Sequence, residues 1–192
     1  MKTFAASLVL ATLLLKPALS AADNDRIGYR VLATSKTSTM EKEMNDAGDA
    51  GYQFGAVMGG ESAVGGKEVI VVMRKAGNAT ATEKRSFKLL ATSKTSTMQK
   101  EMQQLGDDGY EYQGQTVFSS ALGGKEVVVI MERNPATPRT TQYRLLAATR
   151  TSTMQKEVQE AGDAGFELMG MTISRTAAGG TEMVCILAKV SK

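Results

Sequence analysis

Apolar and polar positions repeat in the same order three times along this chain. Each copy opens with a short apolar stretch, continues with apolar residues at helical spacing, and closes with two apolar stretches separated by paired glycines. Short apolar stretches bounded by polar residues predict strands, so each copy predicts a strand, a helix and two further strands. The copies cover residues 27–76, 85–133 and 142–190, and linkers rich in Thr and Ala join them.

The helix of each copy begins in a Thr-Ser-Thr-Met phrase. In the first copy Met40, Met44 and Ala47 follow at helical spacing, which predicts one apolar stripe along the helix. A hydroxyl residue followed three positions later by Glu or Gln is the pattern of a capping box. The pattern occurs at Ser38 with Glu41, Ser96 with Gln99, and Ser152 with Gln155. A left-handed glycine is expected to end each helix, at Gly48, Gly106 and Gly162.

The last strand of each copy is its most apolar stretch, for example KEVIVVM at 67–73. It alternates poorly between apolar and polar residues, so both of its faces need cover. That is typical of a central strand, and it predicts a three-stranded antiparallel or mixed sheet in the order first, third, second, with the helix on one face. The sequence therefore predicts an α+β fold of three tandem βαββ repeats.

One repeat is too small to bury a sufficient core of its own. A copy of about 46 residues (29–74) has a single short helix, and domains of that size are marginally stable alone. Apolar residues also lie on the sheet face away from the helix. We therefore expect the three units to pack on one another, with that face covered by another repeat's sheet or by another chain.

The first 20 residues have the pattern of an export signal. A basic start is followed by an apolar run of 12 residues from Phe4 to Leu15 and by small residues before Ala21. The run is too short to span a bilayer, which takes about 20 residues. We expect residues 1–20 to be removed and the mature protein to be periplasmic or extracellular.

Charge and the rare residue types exclude several classes of function. Removal of Lys2 and Lys16 with the signal leaves 21 basic against 20 acidic residues, so the mature chain has no long-range field for nucleic acid or a membrane surface. Cys185 is the only cysteine, which excludes an internal disulfide. The absence of histidine excludes histidine triads and histidine-ligated metals, and no metal or cofactor is predicted.

Each repeat combines an aromatic and apolar first strand, a Met-spaced helix, a Gly-x-x-Gly-aromatic corner and an apolar last strand. The corner reads Gly48-Asp49-Ala50-Gly51-Tyr52 in the first copy. In these features each repeat resembles the small bacterial βαββ family filed as domain of unknown function 4177, although Tyr or Phe stands where the family usually has Trp. The resemblance covers nearly the whole mature chain. It implies the βαββ fold and no established activity, and it carries over no catalytic residue.

A cation and hydroxyl groups gather at each predicted helix start. The residues are Lys36, Thr37 and Ser38, then Lys94, Thr95 and Ser96, and then Arg150, Thr151 and Ser152. Free backbone amides and the positive end of the helix dipole attract anions, so each start is a candidate anion site. The alternative is plain capping, with the cations serving only solubility.

Two hypotheses follow. We expect an exported, non-enzymatic module that binds or scaffolds an unidentified protein through its repeated surfaces, with association between copies of the chain left open. The alternative is a binder of a small anionic ligand at the three helix starts. An enzyme is disfavoured because the sequence has no histidine and no recognisable pair of nucleophile and base.

Overall fold

The computed structural model describes residues 26–61, 67–77, 84–119, 125–137, 139–175 and 180–190. The predicted export signal and most of the paired glycines lie outside them. The first unit consists of β1 (Ile27–Thr34), α1 (Thr37–Asp49), β2 (Gln53–Glu61) and β3 (Lys67–Ala76). The second consists of β4 (Ser86–Thr92), α2 (Thr95–Asp107), β5 (Glu111–Ser119) and β6 (Lys125–Arg133). The third consists of β7 (Thr141–Ala148), α3 (Thr151–Asp163), β8 (Glu167–Arg175) and β9 (Thr181–Val190).

Three antiparallel sheets have the predicted strand order, which confirms the α+β fold of tandem βαββ units. The orders are β1-β3-β2, β4-β6-β5 and β7-β9-β8. In the first unit Val69, Val71 and Met73 of the central strand are almost wholly buried. Met40 and Met44 of α1 belong to the same apolar cluster. The apolar stripe of the helix therefore covers one face of its own sheet, as the spacing predicts.

The other face of the second and third sheets is covered by the helix of the preceding unit. Phe87 on β4 and Ile130 on β6 are buried in the same cluster as Met40 and Met44 of α1. In the same way Tyr143 and Ile186 of the third sheet pack with the second unit. The expectation that sheet would cover sheet is therefore wrong for most of this face, because the helix presents apolar residues to both sides. The layers alternate between sheet and helix along the stack.

Sheets contact one another directly along the second strands. Strand β2 packs on β5, and β5 packs on β8. The Gly59 amide donates a hydrogen bond of 2.8 Å to the Thr116 hydroxyl oxygen across the first of these contacts. The helices therefore lie between the sheets at the first strand of the next unit, whereas the second strands of neighbouring sheets touch each other.

The helices end differently from the prediction. Each continues to Asp49, Asp107 or Asp163, and the left-handed residues are Gly51, Gly109 and Gly165, with φ of 83°, 84° and 84°. The Tyr52 amide bonds the Ala47 carbonyl at 3.0 Å and so satisfies an orphan carbonyl of the last turn. Gly48 and Gly106 serve another purpose. A Cβ at Gly106 would overlap the Thr141 carbonyl and the Tyr143 ring, because β7 passes close to α2.

Candidate functional site

The predicted capping boxes do not form. Lys36, Lys94 and Arg150 are the N-cap residues, and none of them makes a side-chain capping bond. The predicted cap Ser38 lies inside the first turn and is exposed. The Lys36 amide donates instead to the Thr34 hydroxyl oxygen, 3.2 Å away on the preceding strand. The prediction was wrong because each helix begins two residues earlier than the box requires.

Glu41, the acidic residue of the first predicted capping box, forms hydrogen bonds with the second unit. Glu41 Oε2 accepts the Leu89 backbone amide at 3.0 Å, and Oε1 accepts the Lys88 ammonium at 2.9 Å. One turn later, Asn45 accepts the Phe87 amide at 2.9 Å and donates to the Phe87 carbonyl at 3.0 Å. These bonds satisfy the outer edge of β4, which would otherwise be an unpaired strand edge.

Helix α2 clamps the edge of β7 with two glutamines at the corresponding positions. Gln99 accepts the Leu145 amide at 2.7 Å and donates to the Tyr143 carbonyl at 2.8 Å. Gln103 accepts the Tyr143 amide at 2.9 Å and donates to the Thr141 carbonyl at 3.3 Å. We call such a pair of side chains an edge clamp. Sequence reasoning missed it, although a polar pair four residues apart on every helix was a visible signal.

A tyrosine hydroxyl completes the second of these interfaces. The Tyr112 amide on β5 donates to the Tyr143 hydroxyl oxygen at 2.8 Å, and that hydroxyl donates to the Tyr110 carbonyl at 3.3 Å. Burial raises the pKa of Tyr143 to about 12 and that of Tyr112 to about 12. Both phenols therefore stay protonated at neutral pH and act as structural hydrogen-bond groups.

The contact between the first and second units contains a largely buried ion pair, and both of its members belong to the second unit. Arg85 and Glu132 are 2.8 Å apart, and Glu132 is 5% exposed. Burial raises the pKa of the Glu132 carboxyl, while the Arg85 guanidinium and the Phe54 backbone amide act in the opposite direction. The carboxylate thus joins the second unit to β2 of the first.

The candidate anion residues are spread along the stack. Apart from Thr37 and Thr95, which are half-buried, all of them are exposed, namely Lys36, Ser38, Lys94, Ser96, Arg150, Thr151 and Ser152. The sheet of the second unit lies between α1 and α2, because α1 packs on β4 from one side and α2 from the other. The starts of these two helices therefore belong to different layers. Anion binding at each of them stays a prediction.

A cavity of about 640 Å³ lies between the second and third units. Its lining includes Glu111 of β5, Glu167 and Met169 of β8, and Lys189 of β9. The Lys189 ammonium is already bonded to the Ala164 carbonyl at 2.9 Å and lies over the Phe166 ring. The cavity thus combines two carboxylates, one cation that already has a hydrogen-bond partner, and apolar side chains.

The remaining reactive group is the thiol. Cys185 is buried on the central strand β9, and burial raises the pKa of its thiol. A raised pKa keeps the thiol protonated and unreactive, in keeping with a core role. In the described part of the chain, no three His, Cys, Asp or Glu residues are grouped so as to hold a metal ion. None of the described helices has the length and apolar character needed to cross a membrane.

Large apolar side chains are exposed mainly at the two ends of the stack. The first sheet exposes Ile27, Tyr29, Val31 and Met58, which we call the head face. The third unit exposes Leu168, Met171 and Ile173 of β8 beside the outer surface of α3, with Gln155, Gln159 and Gly162, which we call the tail face. The other large exposed apolar side chains among the described residues, Met169 and Val190, line the cavity.

Comparisons of the chain with protein-family models, with curated proteins and with solved structures gave no match.

Proposed function

We propose that this chain is an exported, non-enzymatic scaffold that binds protein partners through the layer surfaces left open at the ends of its stack. One observation carries the proposal. Two different surfaces are buried against each other between the units inside the chain, and each is exposed at one end, the sheet surface on the first unit and the helix-side surface on the third. Phe87 and Tyr143 are 1% and 4% exposed, whereas Tyr29, at the same position of the first unit, is 66% exposed. Contiguous exposed apolar surface of this kind is typical of protein-binding sites.

The resemblance to domain of unknown function 4177 and the export signal belong to the same proposal. The family resemblance supports a module whose residues serve packing rather than catalysis. The signal-like residues 1–20 support a role outside the cytoplasm.

Binding of a small anion is the weaker alternative. It is supported by Lys36, Lys94 and Arg150 at three helix starts that lack a side-chain cap. The layered arrangement disfavours a shared pocket, because a sheet separates α1 from α2. An anion would therefore have to bind at single exposed starts, where a helix dipole alone contributes little.

Nuclear magnetic resonance of the ¹⁵N-labelled protein, expressed from the full sequence, distinguishes the scaffold proposal from the anion-binding alternative. We expect an unlabelled extract of the exported proteins to broaden amide signals of β1 and α3, and inorganic phosphate to leave Thr37–Thr39 unchanged. Phosphate shifts confined to the helix starts, lost in Lys36→Ala with Lys94→Ala, would favour the alternative. The scaffold proposal would be overturned if no signal of β1 or α3 changed, either when the extract is added or when the concentration of the labelled protein itself is raised.

A further inference from the structure

We propose that the partner of the head face is the tail face of a second copy of this chain, so that copies stack head to tail and continue the alternation of sheet and helix. The inference rests on the proposed function and names its partner. It is carried by the correspondence of both faces to the interface between α2 and β7 inside the chain.

The tail face repeats the edge clamp of α2. Gln155 and Gln159 occupy the positions of Gln99 and Gln103, yet both are exposed. Gln159 donates to Asp163 at 2.9 Å, just as Gln103 donates to Asp107 at 2.8 Å. The second glutamine of α3 is therefore held in place by the same neighbour as the second glutamine of α2, which also bonds the edge of β7. An edge strand is the group that fits between the two amides.

The head face supplies such an edge. Within the described part of the chain β1 pairs only with β3, so no described element covers its outer edge, in contrast to that of β7, which α2 covers. Tyr29 stands opposite Arg74 in the sheet, at the place where Tyr143 stands opposite Ala188. By this equivalence the Tyr29 and Val31 amides point outward, toward a clamp. Tyr29 also keeps the hydroxyl that Tyr143 uses to accept the Tyr112 amide, whereas Phe87 has none.

The tail face has a backbone amide at the position that corresponds to the Tyr112 amide. Leu168 of β8 occupies the position of Tyr112 on β5, since each precedes the bulge of its strand. Its side chain is 53% exposed. In a head-to-tail contact the Leu168 amide would donate to the Tyr29 hydroxyl, and Met171 and Ile173 would face Met58 as β2 faces β5 inside the chain.

A helical glycine gives an independent indication. Gly48 and Gly106 are required because the next strand passes so close that a Cβ would overlap it. Gly162 has the same place on α3, and among the described residues no atom outside its own stretch of helix lies within 4 Å of its Cβ position. A glycine near the end of a helix lowers stability relative to alanine. Its presence where the chain leaves open space fits the approach of a strand from another molecule.

The contact joins two different surfaces, so it is heterologous and leaves a free head and a free tail unless the assembly closes into a ring. Sedimentation equilibrium of the full-sequence product tests it over a wide range of concentration. We expect masses above that of one chain, either rising with concentration or fixed at a closed ring.

Two blocked variants make the test specific. Tyr29→Lys with Val31→Lys blocks the head, and Gly162→Leu with Met171→Lys blocks the tail, in both cases at positions that are exposed in the single chain. Each variant alone should be monomeric, because every contact needs an intact head and an intact tail. An equal mixture should form a dimer of one chain of each kind, since one intact head and one intact tail remain. Tyr29→Phe, which removes only the hydroxyl, should weaken association and leave folding unchanged.

Three results would overturn the inference. They are a wild-type chain that stays monomeric throughout, blocked variants that associate as the wild type does, or a mixture of folded variants that stays monomeric while the wild type associates. A monomeric wild type whose β1 and α3 signals still broaden in the extract would leave the proposed function standing with a different partner. Circular dichroism of each variant establishes that it is folded.

Discussion

Replacement of two equivalent glycines by alanine should change stability in opposite directions. Gly106 and Gly162 stand at the same place in α2 and α3, near the C-terminal end of each helix. Alanine stabilises a helix by about 1 kcal/mol relative to glycine, and somewhat less near an end. At Gly162 no described residue outside the surrounding turn of α3 has an atom within 4 Å of the new methyl group, so Gly162→Ala should raise the free energy of unfolding by about 0.5–1 kcal/mol.

At Gly106 the same gain is opposed by a clash with a backbone carbonyl and an aromatic ring. The new methyl would overlap Thr141 and Tyr143, and β7 would have to move away from α2. Overpacking in a filled interior destabilises by about 1–3 kcal/mol, and a backbone atom yields less readily than a side chain. We therefore expect Gly106→Ala to lower the free energy of unfolding by about 1–2 kcal/mol, after the helix gain is subtracted.

Urea unfolding measures both changes. The head-blocked variant with Tyr29→Lys and Val31→Lys is the background, so that association does not contribute. Midpoints should move in opposite directions with unchanged slopes. Equal destabilisation at both sites would refute the claim that the outer side of α3 is open. A neutral Gly106→Ala would refute the close approach of β7.

The remaining predictions use the same background. Gln103→Ala should destabilise the fold by about 1–3 kcal/mol, because the backbone amide of Tyr143 loses its hydrogen-bond partner. Gln159→Ala, at an exposed position, should change stability by less than about 0.5 kcal/mol. Equal urea midpoints for the two variants would show that the edge clamp does not stabilise the fold. Burial raises the pKa of the Glu132 carboxyl above its ordinary value of 4.5, so the folded state binds the carboxyl proton more tightly than the unfolded state does. The contribution of Glu132 to stability should therefore increase as pH falls from the raised pKa toward the ordinary pKa. Glu132→Gln should remove the contribution of this carboxyl to the difference between the urea midpoints at pH 7 and at mildly acidic pH. A variant with the same pH dependence as the parent would contradict the role assigned to Glu132. Cys185 should react slowly with a thiol reagent in the folded protein and rapidly in urea, since burial raises its pKa and restricts access; rapid labelling of the folded chain would contradict its core position.

The repeats, the strand order and the helix stripe were all predictable from the sequence because they depend on local periodicity. The apolar run of β3 lacks the polar alternation of an exposed strand, which is typical of a strand flanked on both sides in its sheet, and the structure places it at the centre. Met40 and Met44 lie one turn apart, so they mark the buried side of α1 without any knowledge of its partner.

Long-range partners were not predictable by the same means. Ser38 and Glu41 match the local pattern of a capping box, but Glu41 bonds Leu89, 48 residues away. Gly48 looks like a left-handed cap in sequence, yet the left-handed residue is Gly51, and Gly48 is needed where Phe87 approaches. In the first unit both residues contact the next unit of the stack, which a window of a few residues does not contain.

Exposure of the chain's edge amides to solvent tests the layered account most directly. Amide hydrogen exchange of the dilute full-sequence product should show slow exchange at Phe87, Leu89, Tyr143 and Leu145, whose amides are bonded to the preceding helix. Tyr29 and Val31, at the same positions of the first unit, should exchange rapidly in dilute solution and slow down as concentration rises. Equal protection of all six amides at every concentration, or rapid exchange at Tyr143 and Leu145, would contradict the account.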